Sequence, residues 1–232
     1  MPSAEAPRSP KGAGDIAAAP GGYRKGEEAR ARILEAAMRS FGASGFKAAT
    51  TRQIAEDANV NLPALKYYFG SKEGLYLACA REIVGRYETR MLALVTDAGA
   101  ALHADISPTD ARARLKAVIG TLAELLVSST EADIWTSFVL REMADQGPAF
   151  AILYEQLWAP GVALTANLIS RAMGERAASP AARIHALLLI SSLTAFSTAR
   201  PVALKYLGWP DASDTRFASV RRVIDEQIDR IG

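Results

Sequence analysis

TTRQIAEDANVNLPALKYYFGSKEGLY, residues 50–76, reads as two short helical segments joined by a tight turn and followed by an aromatic and lysine cluster. Thr50 with Gln53 three positions on fits a capping box, in which hydroxyl and amide each satisfy an orphan backbone N–H, so a helix should begin at Thr51. Ile54, Ala55 and Ala58 give that helix one apolar face, and it reaches Asn59, a residue that tolerates the left-handed conformation in which helices stop. Asn61 is then a candidate N-cap, and Pro63 falls in the first turn of a second helix, where its missing N–H costs little. This second helix should run from about Leu62 to Phe69. Gly70 ends it, Ser71 caps the next, and Glu73 sits favourably against that helix's dipole.

Two short helices and a turn also describe an ordinary helical hairpin. The flanking sequence argues for more. From about Glu27 to Gly42, Ala29, Ile33, Ala36, Ala37 and Phe41 form the stripe that a third helix needs to close a small core, with Ala55, Val60, Leu65 and Phe69 facing it. Left outside are Thr51, Arg52, Asn61, Leu62, Ala64, Lys66, Tyr67, Tyr68 and Lys72. Hydroxyls, amides and cations of this kind are the chemistry that phosphates and base edges require, so the stretch is expected to be a helix-turn-helix that reads double-stranded DNA.

From Arg30 to Ala80 the chain resembles the N-terminal domain of the TetR family of transcriptional regulators. The motifs are A-x-x-x-F-x-x-x-G-F at Ala37 to Phe46, T-T-x-x-I-A-x-x-A at Thr50 to Ala58, and Y-Y-F-x-S-K-E-x-L at Tyr67 to Leu75. Carried over by position, the resemblance implies phosphate contacts from Thr51, Tyr67 and Lys72, and base or groove contacts from Arg52, Asn61, Leu62, Ala64 and Lys66. The sequence departs from the family pattern twice. Asn59 stands where many members have glycine, and Lys66 stands where many have tyrosine and could reach a phosphate instead of a base.

The chain has 232 residues, half of them hydrophobic, enough for a substantial core. Cys79 is the lone cysteine, so no intrachain disulfide can form; with only His103 and His185 beside it, no metal site or cofactor is expected, and a cytoplasmic compartment is. No phosphate loop, nucleophile elbow or metal-binding helix is present, and the chain is not expected to be an enzyme. The longest apolar run, Ala186 to Ala199, is interrupted by hydroxyl residues and falls short of the ~20 residues of a membrane span. Residues 1–80 carry 11 Lys+Arg against 8 Asp+Glu and residues 81–232 carry 16 against 17, which places the positive surplus on the DNA-reading side.

The domains expected are therefore a disordered tail over 1–24, rich in Ala, Pro and Gly, a helix-turn-helix domain over 25–71, and a helical effector-binding and dimerisation domain over 72–232. Arg8, Lys11, Arg24 and Lys25 could let the tail touch DNA, or it could be passive. The fold class is all-α. Proline and cap positions predict helices at about 72–100, 108–129, 131–145, 148–174, 180–206 and 213–230, with Pro160-Gly161 kinking or breaking the fourth of these.

Trp135, Phe138, Arg141, Glu142, Tyr154 and Trp158 are candidates for a pocket that takes an apolar or amphipathic small molecule, or for plain core packing. Ile184, Leu187, Leu188 and Phe196, together with Phe217, Val220, Ile224 and Ile228, form two stripes that either bury within one subunit or pair two. The TetR resemblance implies the second, a homodimer on a palindromic operator. A further resemblance, to the CecR-like branch, rests on R-E-M at Arg141 to Met143, Pro148, Glu155, Pro160 and L-G-W-P at Leu207 to Pro210. It implies control of efflux or transport genes, with repression lifted by a ligand.

Overall fold

In the computed structural model, residues 20–128, 130–196, 199–211 and 214–231 are described; most of the expected N-terminal tail lies outside them. Among the described residues there are helices and no strands. They are α1 (Pro20–Ala48), α2 (Thr51–Asp57), α3 (Leu62–Phe69), α4 (Lys72–His103), α5 (Pro108–Ser128), α6 (Thr130–Asp145), α7 (Phe150–Leu153), α8 (Ala159–Ala172), α9 (Pro180–Leu193), α10 (Arg200–Leu207) and α11 (Asp214–Asp229). No single described helix is long and apolar enough to cross a membrane.

Three elements differ from expectation. α1 starts at Pro20, ahead of the start expected near Glu27. The helix expected over 148–174 is split by a π turn at Tyr154–Trp158, in which the Ala159 N–H donates to the Tyr154 carbonyl. Pro160 then falls in the first turn of α8, where its lack of an N–H is harmless, so the proline is accommodated by a change of helical register immediately before it. The helix expected over 180–206 breaks into α9, a 3-10 turn at Thr194–Phe196 and α10.

Two hydrophobic clusters hold the chain together. The first joins α1, α2, α3 and the start of α4 to α6 and α7: Phe41, Ile54, Leu65 and Tyr76 are continuous with Trp135, Phe138 and Leu153. The interior therefore does not divide at residue 71. α1 packs more extensively on α6 than on α2. The approach is close because Gly42 is buried, and a Cβ there would lie 3.4 Å from the Ile134 carbonyl oxygen, the Phe138 nitrogen and the Ser137 Cβ. The second cluster joins the far half of α4 to α5, α8, α9 and α11 through Leu115, Ile119, Leu168, Ile169 and Leu193.

Candidate nucleic-acid interface and neighbouring cavity

The helix-turn-helix is built by local hydrogen bonds. Thr50, in an extended conformation, accepts from the Gln53 N–H at 3.2 Å through Oγ1 and starts α2. The capping box is only half made, because the Gln53 side chain donates to Asp57 Oδ1 at 2.9 Å instead of returning to Thr50. At the far end Asn59 takes the left-handed conformation, φ 52°. Val60 N–H donates to Ala55 O and Asn59 N–H to Glu56 O, each at 3.0 Å, the paired bonds of a Schellman stop. One residue later Asn61 Oδ1 accepts from the Ala64 N–H at 2.8 Å and starts α3. Four residues, Ala58 to Asn61, separate α2 from α3, and the stop bonds on one side and the Asn61 cap on the other set their path.

This geometry sorts the expected DNA contacts. Leu62 (47 % exposed), Lys66 and Tyr67 (84 % exposed) project from α3, and Arg52 projects from α2, loosely paired with Glu56 at 3.2 Å. Leu65 is buried beneath them and anchors the helix. Ala64 and Tyr68 are half-buried, and Tyr68 packs against the first cluster with its ring 5.2 Å from that of Tyr67, so it supports the face more than it forms it. Asn61 has committed its carbonyl oxygen to the cap, which leaves its amide hydrogens as free donors. Thr51 is half-buried at the start of α2. Lys72 is tied to the end of α1: its ammonium donates to the Lys47 carbonyl at 3.2 Å and lies 5.0 Å from the centre of the Phe46 ring.

The candidate pocket residues separate sharply. Trp135 and Phe138 are 2 % and 1 % exposed and belong to the first cluster; Phe138 meets Tyr76 at a tilt of 37° with ring centroids 4.7 Å apart and meets Phe41 edge-on at 6.4 Å. Arg141 reaches the end of α1, donating from Nε to the Gly42 carbonyl and from Nη2 to the Ala43 carbonyl, each at 3.0 Å. Gly45 just beyond has φ 77° and ψ 171°, a conformation open essentially to glycine alone, and a Cβ on it would come within 3.3 Å of the Arg141 side chain. Glu142 is 1 % exposed; it accepts from the Tyr76 hydroxyl at 2.5 Å and from the Ala149 N–H at 2.6 Å. Burial and that hydrogen bond push the Tyr76 phenol far above its ordinary range, so it stays a donor. These four residues form the joint between the DNA-reading head and the rest of the chain. They do not line the cavity, because partners on α1 and α4 claim them.

A second element completes the joint. Arg86 on α4 pairs with Glu35 on α1 at 2.6 Å and Glu82 at 2.8 Å, and lies over the Trp135 ring at 4.9 Å. Although desolvation works against its charge, the hydrogen bonds to Glu82 and Glu35 hold the guanidinium pKa above its ordinary value.

A cavity of about 930 Å³ lies among α4, α5, α6, the π turn and α8. Trp158 is one candidate that lines it; Tyr154 instead borders a separate cleft against α8 and α9, which Trp158 also reaches. Most of the lining was missed from sequence: Tyr87, Glu88, Met91, Leu92 and Val95 on α4, Gln156 and Leu157 on the π turn, and Val162, Leu164 and Thr165 on α8. A signal was available in Met91, Leu92, Leu94 and Val95, an apolar run on α4 wider than one packed face requires.

The expected dimer stripes also part ways. Ile184, Leu187 and Leu188 on α9 are 58, 48 and 63 % exposed. Val220, Ile224 and Ile228 on α11 are instead buried in the second cluster, and Phe196 and Phe217 pack against it half-buried. The α11 stripe packs on α5 within the chain, whereas the α9 residues stay uncovered. Among the described residues no group of three His, Cys, Asp or Glu side chains could hold a metal ion.

Residues 33–79 match the family described as bacterial regulatory proteins, tetR family, and residues 111–232 match the C-terminal domain of the HTH-type transcriptional dual regulator CecR. The chain is 30 % identical over 209 residues to the HTH-type transcriptional dual regulator CecR of Shigella flexneri, covering 89 % of this chain and 92 % of that protein. In structure it resembles a TetR-like transcriptional regulator from Rhodococcus sp. RHA1, with TM-score 0.59, 18 % identity, and 87 % and 94 % of the two chains covered. It also resembles AibR, solved in complex with isovaleryl coenzyme A and operator DNA, with TM-score 0.58, 18 % identity, and 73 % and 85 % covered. With a capped helix-turn-helix at one end and the matched helical domain at the other, this chain belongs to the TetR family of DNA-binding transcriptional regulators, which are not enzymes, and its C-terminal domain is of the CecR type.

Proposed function

We propose that the protein is a cytoplasmic, homodimeric repressor that binds a palindromic operator and is released from it when an apolar or amphipathic small molecule occupies the cavity behind α4. The observation that carries this reading is the continuity of α4. Its first turn is tied to the head through Lys72, Tyr76 in its second turn and Arg86 further on carry contacts of the joint, and the turns from Gly85 to Val95 line the cavity. A ligand that shifts α4 therefore acts on the head through packed, hydrogen-bonded contacts. The effect has to be reciprocal, with DNA weakening ligand binding by the factor that ligand weakens DNA binding.

Dimerisation through α9 is supported by Ile184, Leu187 and Leu188, which leave an apolar face uncovered on this chain. Two copies joined there would carry two reading heads, as a palindromic operator requires. AibR was solved with both operator DNA and a small molecule, and the CecR relative is named a dual regulator, so activation at some sites is compatible with the same machinery. Control of efflux or transport genes rests on the resemblance to the CecR-like branch.

The test is a gel-shift and footprint on the DNA flanking the gene, with Arg52→Ala and Tyr67→Ala compared with the unaltered chain. Each is expected to weaken operator binding by about 1–3 kcal/mol per half-site, while the melting temperature and the dimer are unchanged. Unaltered affinity in both variants would remove the assignment of the reading face.

A further inference from the structure

The cavity is apolar within and acidic at its rim. Met91, Leu92, Val118, Leu122, Val139 and Leu164 supply much of its wall. Among the described residues the ionisable side chains on it are Glu88, Glu155 and Tyr87, with no Lys, Arg or His. Burial raises the Tyr87 phenol above its ordinary pKa, so that group stays neutral, and the net charge of the lining is negative. Glu88 and Glu155 are both exposed, one on α4 and one on the π turn, and neither makes an ion pair among the described residues.

Polar groups inside the cavity are also left waiting. Thr136 is 3 % exposed and sits beside the Tyr87 phenol without closing a hydrogen bond of normal geometry, and the indole N–H of Trp158 is buried with no acceptor among the described residues. Buried groups of this kind are ordinarily paired, which marks them as places where a bound molecule would supply the partner. The π turn presents Glu155, Gln156, Leu157 and Trp158 to the same space, an irregularity of helix register that recurs at ligand sites.

We infer that the effector is a hydrophobic cation, with its apolar body among α4, α5 and α8 and its positive centre held near Glu88 and Glu155 beside the Trp158 ring. This rests on the cavity being the effector site. It separates this chain from AibR in ligand class, because a coenzyme A thioester carries phosphates, and a lining with two carboxylates and no cation opposes them. An aromatic face next to carboxylates suits a soft, weakly hydrated cation.

Tetraphenylphosphonium and tetraphenylborate have nearly the same shape and opposite charge, and triphenylphosphine oxide is a neutral relative. Titrating each into the full-length protein, by calorimetry and by quenching of tryptophan fluorescence, should show the phosphonium binding at least 10-fold more tightly than the borate. Quenching should be lost in Trp158→Phe. In Glu88→Gln/Glu155→Gln, altered only at exposed positions, the preference should fall to about parity while the neutral probe binds as before. A borate that binds as tightly as the phosphonium, or a preference that survives in the double variant, would overturn the cation inference. Binding of the neutral probe alone would do the same and leave the cavity standing as an effector site. Failure of all three to bind would overturn both.

Discussion

α3 and α6 have similar ingredients, aromatic rings beside charged side chains, and opposite fates. On α3 Tyr67 is 84 % exposed and Lys66 is open to solvent; on α6 Trp135 and Phe138 are 2 % and 1 % exposed and Glu142 is sealed beside Tyr76. Composition does not separate them. α3 rests on the core through Leu65 with one face left over, whereas α6 is pressed between α1, which approaches it closely at Gly42, and α4. What a helix displays is decided by how many neighbours claim its circumference, and α6 has too many for its rings to face a ligand.

The strongest way to break this contrast is to remove the ring that α6 contributes to both halves. Phe138→Ala should cost about 3–5 kcal/mol of stability, because it deletes a fully buried side chain at the point where Phe41 and Tyr76 meet it. The head and the first cluster share one interior, so urea unfolding followed by circular dichroism and by tryptophan fluorescence should shift together. Two separated transitions would mean that the head has a core of its own and that the boundary expected at residue 71 is a real break in packing.

The same contrast explains what could be read in advance. Caps and stops are contests between neighbours in sequence, so Thr50, Asn59, Asn61 and Ser71 announced the ends of α2, α3 and α4 nearly to the residue. Glu142 is different: its partner Tyr76 is 66 residues away, and nothing near it in sequence says that its charge will be buried instead of facing a ligand. Arg141 likewise finds its acceptors on α1. The α11 stripe had a correct period and an ambiguous destination, since Val220, Ile224 and Ile228 suit a neighbour in the same chain as well as a second copy. The π turn escaped because Pro160 announces a disturbance without saying whether the helix will kink, stop or change register.

A smaller effect sharpens the role of the joint. Arg141 spans two successive carbonyls on α1 with two nitrogens of one planar group, a geometry that a lysine ammonium cannot reproduce. Arg141→Ala and Arg141→Lys should both reduce the coupling between ligand and operator by about 0.5–2 kcal/mol, measured as the change in operator affinity at saturating ligand. Affinity of the isolated protein for the ligand should hold, because Arg141 is not on the cavity wall. Full rescue by lysine would show that its charge matters and its two-point contact does not.

The smallest expected effect bears on the face of α3 itself. Lys66 projects from the helix one position before Tyr67, its ammonium without an intramolecular partner among the described residues, so either a phosphate or a base edge is within its chemistry. The two roles leave different traces in Lys66→Gln. A phosphate contact is ionic, and its loss lowers the slope of log affinity against log salt by about 1 for each subunit bound while weakening all sequences nearly alike. A base contact is directional, and its loss relaxes the preference at one operator position by about 1–3 kcal/mol. α3 favours the first outcome: a lysine ammonium is a compact, strongly hydrated point charge on a flexible stem, and Arg52 and the Asn61 amide already offer directional donors. Operator affinity of the variant, measured across a salt series and against single-base changes, should therefore show a shallower slope and an unchanged order of sequence preference; a reordered preference at constant slope would move Lys66 from the backbone to the bases.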